Sequence, residues 1–490
     1  MVTGFGLVAR APVRDPDSAS RRVPSRNPRC DTFSLAMTRR FTVWSLCTLL
    51  VLLAACTRSA DKQPNILLIV VDTLRADHLT SYGYGRNTSP AIDALAARGA
   101  RFDRNRGQAP CTFPSMNSML TSRPVETFFG QPLGDMGIPA RVTSVAEVLA
   151  SAGYFTAAFS ASPIVRKNPT EFNTVGGFDR GFQLFDDECL WEDARCVNNR
   201  SMAALERHRT SDPVFFYLHY IDPHGPYQSP GKGRDRRFAR KSYRDDLQPD
   251  VRAGHSSAAS ERIDRGEPSG LDAADLAHFI NLYDDEIIWV DKRIGEVIAA
   301  FEAIAPPRGT IVVLASDHGE AFLEHGTLTH CHALFDNEIR TPLIVAGPGI
   351  RSGEVYDTLS ENLDIVPTLL DLVGSQAEPG KFSGRSLRPT LTQSNGRAAE
   401  TGPERLQTSA FNGWRSAFDG RHKLMVNETE QKVWLFDLSQ NPGETIDLAE
   451  TEQRTAAALR RALAIQSPIA DEALEAARET ERQLHALGYL

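Results

Sequence analysis

The sequence predicts an α/β protein, because strand and helix patterns alternate along the chain. The run NILLIVVD at 65–72 is apolar and rich in β-branched residues, as in a strand buried on both faces. Apolar residues at helical spacing follow at 89–100 and at 144–154, and a second strand pattern occupies 154–160. This alternation is typical of a sheet with helices on both faces.

A long helix and a further strand are predicted next, and the elements after them are shorter. Apolar residues recur every three or four positions over 276–304, which predicts a long helix, and the strand run GTIVVLAS follows at 309–316. After Gly374 the elements become shorter, and the segments 458–466 and 482–490 have the patterns of an amphipathic helix and a docking tail. There are no internal repeats.

The composition fits a folded globular protein. The chain has 490 residues, of which 41% are hydrophobic and 24% charged, and this is enough to bury a large core. Its formal net charge of −8 gives no indication of nucleic-acid binding. Residues 229–270 interrupt the pattern with a strongly basic stretch and then small polar residues. This insertion is either a solvated loop or a mobile basic lid that collects anionic substrates.

The N-terminal region predicts a lipid-anchored export product. Residues 1–36 are rich in Arg, Pro and Ser without apolar periodicity, so they are disordered or precede the true start at Met37. Residues 37–56 combine two arginines, a short apolar run and the sequence LAAC, which resembles a bacterial lipoprotein signal with its lipobox. Cys56 would then be acylated, and Thr57 after it favours an outer-membrane anchor that faces the periplasm. The apolar run is too short to span a bilayer, and its plainer interpretation is a buried helix.

Polar side chains that suit metal-dependent ester chemistry occur in short segments far apart in the chain. Several of them close apolar runs, and the carboxyl ends of strands in an open α/β sheet line a crevice. The candidate residues are Asp72, Thr112, His224, Asp317, His318 and His330.

These residue types point to chemistry on an anionic ester. Asp72, Asp317 and His318 could hold a divalent cation that binds a tetrahedral oxyanion and lowers the pKa of an attacking hydroxyl. Thr112 would contact that ion and supply the hydroxyl. The other two histidines would stabilise the equatorial oxygens or protonate the leaving group.

Each signal alone has a plainer interpretation. Asp72 could be a turn residue or a helix N-cap, the triplet that begins at Asp317 could be an ordinary strand-to-helix turn, and His224 could cap a loop. Their conjunction and their order along the chain favour a common site.

From about Pro64 to the C-terminus the chain resembles the sulfatase family of the alkaline-phosphatase superfamily. The matching segments include PNILLIVVDTLRADH, FPSMNSMLTSRP, YIDPHGPY, SDHGEAFLEHG, RTPLIVAGPGI and WLFDLSQNPGETIDLA. The resemblance implies a large mixed, mostly parallel sheet in a catalytic domain at 64–375, and a C-terminal subdomain at 376–490 with a small antiparallel sheet. It also assigns the six candidate residues the roles given above, with Thr112 at the nucleophile position.

Departures from the family pattern bear on the substrate. Known sulfatases carry Cys or Ser two residues before the motif proline and convert it to formylglycine, whereas Thr112 stands there and Cys111 lies one place too early. Formylglycine is therefore not expected. Met116 replaces the motif arginine, Thr73 replaces a second carboxylate, and His330 replaces a lysine, so the site is less cationic than in a typical sulfatase. With one carboxylate missing, calcium fits less well than zinc or manganese.

Four of the seven cysteines lie beyond the proposed lipobox, and an even number in an oxidising compartment invites pairing. Cys189 and Cys196 bracket a short loop that a disulfide could close. Cys111 and Cys331 each adjoin a candidate site residue, so an assembled site would bring them together, either as a disulfide or as two free buried thiols. Zinc binding by this pair would need two further ligands.

The sequence thus predicts an exported, metal-dependent hydrolase of sulfate or phosphate-type esters that forms a covalent ester on Thr112. Unmodified threonine is the nucleophile in other branches of the superfamily, so a phosphodiesterase, a phosphonate hydrolase or a phosphoethanolamine-type transferase is an alternative. A lipoprotein that binds anions and has lost catalysis is another. The natural leaving group is not encoded in any motif of the sequence.

Overall fold

A computed structural model describes most of the chain after residue 62. The described residues are 63–128, 137–169, 173, 176–208, 212–227, 237–239, 259, 262–263, 265–304, 308–375, 380–392 and 405–466. The predictions for residues 1–36, for the signal at 37–56 with Cys56 and for the tail 482–490 lie outside these ranges, as does most of the insertion at 229–270.

The described residues form sixteen strands and nine α-helices, numbered here in chain order. The strands are β1 Asn65–Val71, β2 Ala100–Phe102, β3 Asn105–Arg106, β4 Phe155–Ser160, β5 Leu184–Asp186, β6 Val214–Tyr220, β7 Thr310–Ala315, β8 Ala321–Phe322, β9 Leu328–Thr329, β10 Leu343–Ala346, β11 Glu354–Tyr356, β12 Ser360–Glu361, β13 Gln407–Phe411, β14 Trp414–Phe418, β15 His422–Asn427 and β16 Lys432–Asp437. The helices are α1 Pro90–Ala97, α2 Thr112–Thr121, α3 Val145–Ser151, α4 Ala194–Arg207, α5 Ala273–Ile304, α6 Asp336–Ile339, α7 Ile365–Leu372, α8 Arg388–Thr392 and α9 Gln453–Gln466.

Eight strands form the central sheet in the order β11-β2-β10-β7-β1-β6-β4-β5. The five strands from β7 to β5 run parallel, whereas β10 is antiparallel to both of its neighbours. Alternate residues of β1 enter two hydrophobic clusters, with Leu67 and Ile69 in one and Ile66 and Leu68 in the other. Both faces are therefore covered, and the predicted mixed, mostly parallel sheet flanked by helices is confirmed.

The strand order positions the candidate site. Because β7, β1 and β6 are parallel neighbours, their carboxyl ends meet at one edge of the sheet. Asp72 directly follows β1, Asp317 follows β7 by two residues, and His224 follows β6 by four.

Strands β13 to β16 form a separate antiparallel sheet in sequential order, as expected for the C-terminal region. Helix α9 packs against this sheet through Leu459 and Leu463, which join Leu424 and Leu435 in a cluster of their own. No helix within the described ranges is both long enough and apolar enough to cross a membrane.

Candidate metal and catalytic site

Asp72, Asp317 and His318 meet at the carboxyl edge of the sheet. One ligand atom from each lies within 4.8 Å of the others, and all three residues are buried. The turn after β1 is fixed from two sides, because Leu74 N donates to Ser316 Oγ at 3.0 Å and the Tyr283 hydroxyl of α5 donates to Thr73 O at 2.7 Å. Asp72 and Asp317 are thus held at one point although they are 245 positions apart in the sequence.

The three groups leave unused ligand atoms that suit a divalent cation. Asp317 Oδ1 accepts hydrogen bonds from His318 N at 2.9 Å and Thr73 N at 3.3 Å, while Asp317 Oδ2 and Asp72 Oδ1 are buried without a hydrogen-bond partner. His318 Nδ1 donates to Gly319 O at 2.9 Å, so Nε2 presents a lone pair. Two carboxylate oxygens and one imidazole nitrogen are a donor set that could hold a divalent metal ion.

Thr112 lies beside this group as the first residue of α2. Its Oγ1 is 3.1 Å from His318 Nε2, and the side chain is buried. Ser115, one turn further on, donates from Oγ to Asp317 O at 2.7 Å and so ties the helix to the metal-ligand segment. A helix N-terminus favours negative charge, which suits an anion in front of Thr112.

The two carboxylates experience opposite electrostatic environments. Burial opposes the charge of Asp72, but the hydrogen bond from His219 and the nearby histidines outweigh it, so the pKa of Asp72 lies below its usual range. Burial and the charge of Asp72 raise the pKa of Asp317. Two buried carboxylates this close repel each other, and a cation between them would remove that repulsion.

His224 and His330 stand next to the metal-ligand group. The ring centroid of His330 is 4.6 Å from that of His318 and 4.8 Å from that of His224. His224 Nδ1 donates to Gly225 O at 2.6 Å, whereas His330 Nδ1 lies 3.0 Å from Glu320 Oε1. Burial lowers the pKa of His330, and the charges of its histidine neighbours add to this effect. Burial also raises the pKa of Glu320 to about 7.

Two residues of the site were not predicted from the sequence. His219 in β6 is fully buried and lies 3.1 Å from Asp72 Oδ2 through Nε2, while its Nδ1 is 2.6 Å from the Tyr217 hydroxyl. Glu320 contacts His330. A histidine inside an otherwise apolar strand was a usable signal for His219, since a buried imidazole needs a polar partner.

Both predicted cysteine pairs are joined as disulfides, Cys111 to Cys331 and Cys189 to Cys196. The alternatives of two free thiols or a zinc site at Cys111 and Cys331 therefore do not apply. The first bridge connects the residue before Thr112 to the residue after His330.

Met116, which stands at the arginine position of the motif, is fully buried in a hydrophobic cluster together with Val70 and Phe102. An uncharged core residue thus takes a place where the family pattern has a cation.

Comparison with known proteins agrees with this geometry. The chain matches the family model Sulfatase over residues 64–375, and it matches the model for the C-terminal part of N-sulphoglucosamine sulphohydrolase over residues 324–466. It is 22% identical to an arylsulfatase of Clostridium perfringens, covering 80% of this chain and 91% of that protein. It is 26% identical to a choline-sulfatase of Rhizobium meliloti, covering 79% and 83%.

The crystal structure of a phosphonate monoester hydrolase of Agrobacterium radiobacter shares the fold, with a TM-score of 0.65 and 18% identity over 87% of this chain and 96% of that one. The family match spans well over half of the sequence. The chain therefore belongs to the sulfatase family of hydrolases, within the alkaline-phosphatase superfamily.

Proposed function

We propose that this protein is a metal-dependent hydrolase that uses unmodified Thr112 as its nucleophile and prefers singly charged phosphorus esters to sulfate esters. The observation that supports this most strongly is the position of Thr112 Oγ1, 3.1 Å from His318 Nε2 and beside the buried carboxylates of Asp72 and Asp317. A hydroxyl, a metal-ligand set and a helix N-terminus thereby converge on one point.

The residues present fit a divalent cation held by Asp72, Asp317 and His318, since two buried carboxylate oxygens there have no other partner. When bound, such an ion would supply positive charge that stabilises the anionic substrate and lowers the pKa of the Thr112 hydroxyl. Because Thr73 stands in place of a second carboxylate, zinc or manganese fits this site better than calcium.

Thr112 Oγ would attack the phosphorus, and the bond from phosphorus to the leaving oxygen would break. The leaving oxygen departs as an alcohol, so the net proton that it gains balances the one lost by Thr112. Water then attacks the phosphorus of the Thr112 ester and restores the hydroxyl. His330, whose ring packs against that of His318, and His224, which packs against His330, would carry these protons.

Two features favour phosphorus over sulfur, and a third favours a singly charged ester. Threonine cannot become formylglycine, and Cys111 is engaged in a disulfide with Cys331. A threonine sulfate ester would need water to attack sulfur, whereas a threonine phosphoester is released by attack at phosphorus. The buried Met116 supplies no charge, which favours a singly charged phosphodiester or phosphonate monoester over a doubly charged phosphate monoester.

Matched p-nitrophenyl esters test this proposal. We expect kcat/KM to be higher for a phosphodiester or a phosphonate monoester than for p-nitrophenyl sulfate. Thr112→Ala should abolish turnover and leave metal content unchanged, while Thr112→Ser, which keeps a hydroxyl, should retain activity. Faster sulfate hydrolysis, a formylglycine mass at Cys111 or an active Thr112→Ala variant would each contradict the proposal, and binding without turnover would favour the anion-binding alternative.

We also propose that the protein is exported and lipid-anchored through Cys56, at the outer membrane and facing the periplasm. The lipobox supports this, and two disulfides suit an oxidising compartment. Mass spectrometry of the mature N-terminus should find an acylated Cys56, and Cys56→Ala should move the protein from the membrane fraction to the soluble fraction. An unmodified N-terminus at another residue would contradict the anchor.

A further inference from the structure

Trp191 lies next to the candidate site, in the loop between β5 and α4. Its indole ring contacts the imidazole ring of His224 edge to face, with the two ring centroids 5.6 Å apart. The His224 ring lies 4.8 Å from that of His330, and the His330 ring lies 4.6 Å from that of His318. Four rings therefore form a continuous row that begins at a candidate metal ligand and ends at Trp191.

This row of rings runs from the interior to the surface. The His318 side chain is fully buried, and that of His330 is 13% exposed. His224 and Trp191 are both half-buried. Trp191 packs in part against the hydrophobic cluster below it, so the remaining part of its indole ring is accessible beside His224. A substrate group that extends outward from the two outer histidines would meet this indole.

The backbone of Trp191 has a conformation that a bulky residue rarely adopts. Its φ is 57°, in the left-handed region. The backbone N of Trp191 donates to Ala161 O at 3.1 Å, and Ala161 N donates to His219 O at 3.0 Å. Glycine or asparagine would adopt this conformation more easily, so the turn itself gives no reason for a tryptophan. Strained backbone of this kind clusters at ligand sites.

The loop that carries Trp191 is tied to the segment that carries His224. Ala194 N, at the end of the loop, donates to Oδ2 of Asp222, two residues before His224, at 2.8 Å. One of the two disulfides closes the loop. The indole ring and the His224 ring therefore keep a fixed arrangement, as groups that determine specificity must.

We propose that Trp191 is a specificity residue whose indole ring contacts the leaving group and favours a flat six-membered ring over a short alkyl group. This assignment rests on the proposed function, in which the leaving oxygen departs beside His330 and His224. An indole is wide, apolar and uncharged, so a ring that lies against it buries more apolar surface than an ethyl group does. Aryl rings and pyranose rings both offer such a face.

The test compares esters of methylphosphonic acid with phenol, glucose and ethanol, or the corresponding sulfate esters if the wild type hydrolyses sulfates faster. Each ester is measured on the holoenzyme as a competitive inhibitor of p-nitrophenyl ester hydrolysis. The inhibition constant Ki reports binding and not the reactivity of the leaving group, so ring and alkyl esters can be compared directly.

Trp191→Asn removes the indole and keeps a residue that tolerates the left-handed conformation. We expect it to raise Ki for the ring esters about 3- to 10-fold, the scale of an aromatic contact, and to leave Ki for the ethyl ester unchanged. KM for the p-nitrophenyl ester should rise by the same factor while kcat stays constant, because a contact away from the reacting atoms contributes uniform binding. Trp191→Phe, which keeps a smaller aromatic ring, should lie between the variant and the wild type.

A rise in Ki for the phenyl ester alone would identify an aryl leaving group, and a rise for the glucose ester alone would identify a sugar. An equal rise for all three esters, or a lower kcat with unchanged KM, would overturn the assignment, since Trp191 would then act only by placing His224. A larger rise for an ester with a quaternary-ammonium alkyl group would also overturn it, in favour of a cation–π contact.

Failure of the proposed function would be visible separately. An active Thr112→Ala variant refutes the nucleophile and leaves the ratio of ring to ethyl Ki values in the Trp191 variants unaffected. If the wild type turned over no ester, titration calorimetry of the metal-loaded protein with the same three esters would supply Kd values for the same comparison.

Discussion

Asp72 is oriented by a chain of buried hydrogen bonds that ends in β6. Asp72 accepts a hydrogen bond from His219 Nε2 at 3.1 Å, and His219 Nδ1 accepts a hydrogen bond from the Tyr217 hydroxyl at 2.6 Å. Burial raises the pKa of Tyr217 well above its usual value, which keeps it a donor. The bond occupies Oδ2 of Asp72 and leaves Oδ1 for a cation. Residues that orient metal ligands in this way set metal affinity.

Replacing His219 by Ala should therefore weaken metal binding about 10- to 100-fold, because Asp72 loses the donor that fixes its carboxylate. Isothermal titration of the metal-stripped protein with Mn²⁺ and Zn²⁺ measures this directly. Tyr217→Phe, which removes only the outer hydrogen bond, should have a smaller effect in the same direction. An unchanged Kd in His219→Ala would show that His219 has no part in the metal site.

The six candidate residues were predicted from the ends of apolar runs and from motifs, and the structure brings Asp72, Asp317 and His318 of this set to one point. His219 and Glu320 were not predicted. The apolar pattern of β6 predicts packing, and the imidazole within it signals a polar partner without naming Asp72. Glu320 contacts His330, which lies ten residues away across a hairpin. Roles that depend on which nitrogen of a histidine is engaged are visible only in three dimensions.

The segment after His330 is the element that joins the two halves of the site. Cys331 adopts a left-handed backbone conformation with φ 69°, donates from its backbone N to Pro110 O at 2.9 Å, and is bonded to Cys111. Helix α2, which begins at Thr112, and the segment that contains His330 are thereby linked although 220 residues separate the two cysteines.

Replacing Cys111 and Cys331 together by Ser should lower both kcat and stability, because Thr112 and His330 would no longer be tied. The stability loss should be about 2–4 kcal/mol, larger than for a bridge that closes a short loop. Enzyme assays and urea unfolding measure the two effects. The control is the double variant Cys189→Ser with Cys196→Ser. It opens a disulfide between cysteines that are only 7 positions apart and leaves the link to Thr112 intact. Wild-type kcat in the Cys111 and Cys331 double variant would rule out a catalytic role for this bridge.

At the level of the whole molecule, the C-terminal sheet is bound to the catalytic part through a buried ionic cluster. Lys423 of β15 is fully buried and lies 2.8 Å from Asp336 and 2.7 Å from Glu444, and Arg106 of β3 lies 2.6 Å from Asp336. Asp336 begins α6, six residues after His330. The C-terminal sheet therefore holds the segment that carries His330.

Asp336→Asn should destabilise the protein by about 3–5 kcal/mol at neutral pH, since it removes the carboxylate paired with the buried Arg106 and leaves Lys423 with Glu444 alone. Burial opposes the charge of Asp336, but Arg106 and Lys423 outweigh it and hold the pKa of Asp336 well below its usual range. A carboxyl with a lowered folded-state pKa contributes stability above its unfolded pKa, about 3.9, and loses it as the pH falls further.

Urea unfolding at several pH values checks this prediction. The difference in the free energy of unfolding between wild type and Asp336→Asn should be constant above about pH 5 and shrink below about pH 4. Asp357→Asn, which removes an exposed partner of Arg104, is the control and should have little effect at any pH. A difference in unfolding free energy that grew on acidification would contradict a lowered pKa of Asp336 in the folded state.

The fold class followed from the sequence because β1, α5 and β7 have strong, unbroken patterns. The order of the strands did not, since β10 and β11 are short and their pairing with β2 depends on contacts between residues more than 200 positions apart. The antiparallel direction of β10 likewise has no local signature.

Covalent labelling of Thr112 is the most direct test of the nucleophile. The metal-loaded enzyme would be mixed with an excess of a p-nitrophenyl phosphonate monoester, quenched in acid within one turnover, digested and examined by mass spectrometry. A phosphonyl mass on Thr112, absent from the Thr112→Ala variant, is the predicted result. A phosphonyl mass on another residue, or turnover accompanied by the mass of formylglycine at Cys111, would contradict it.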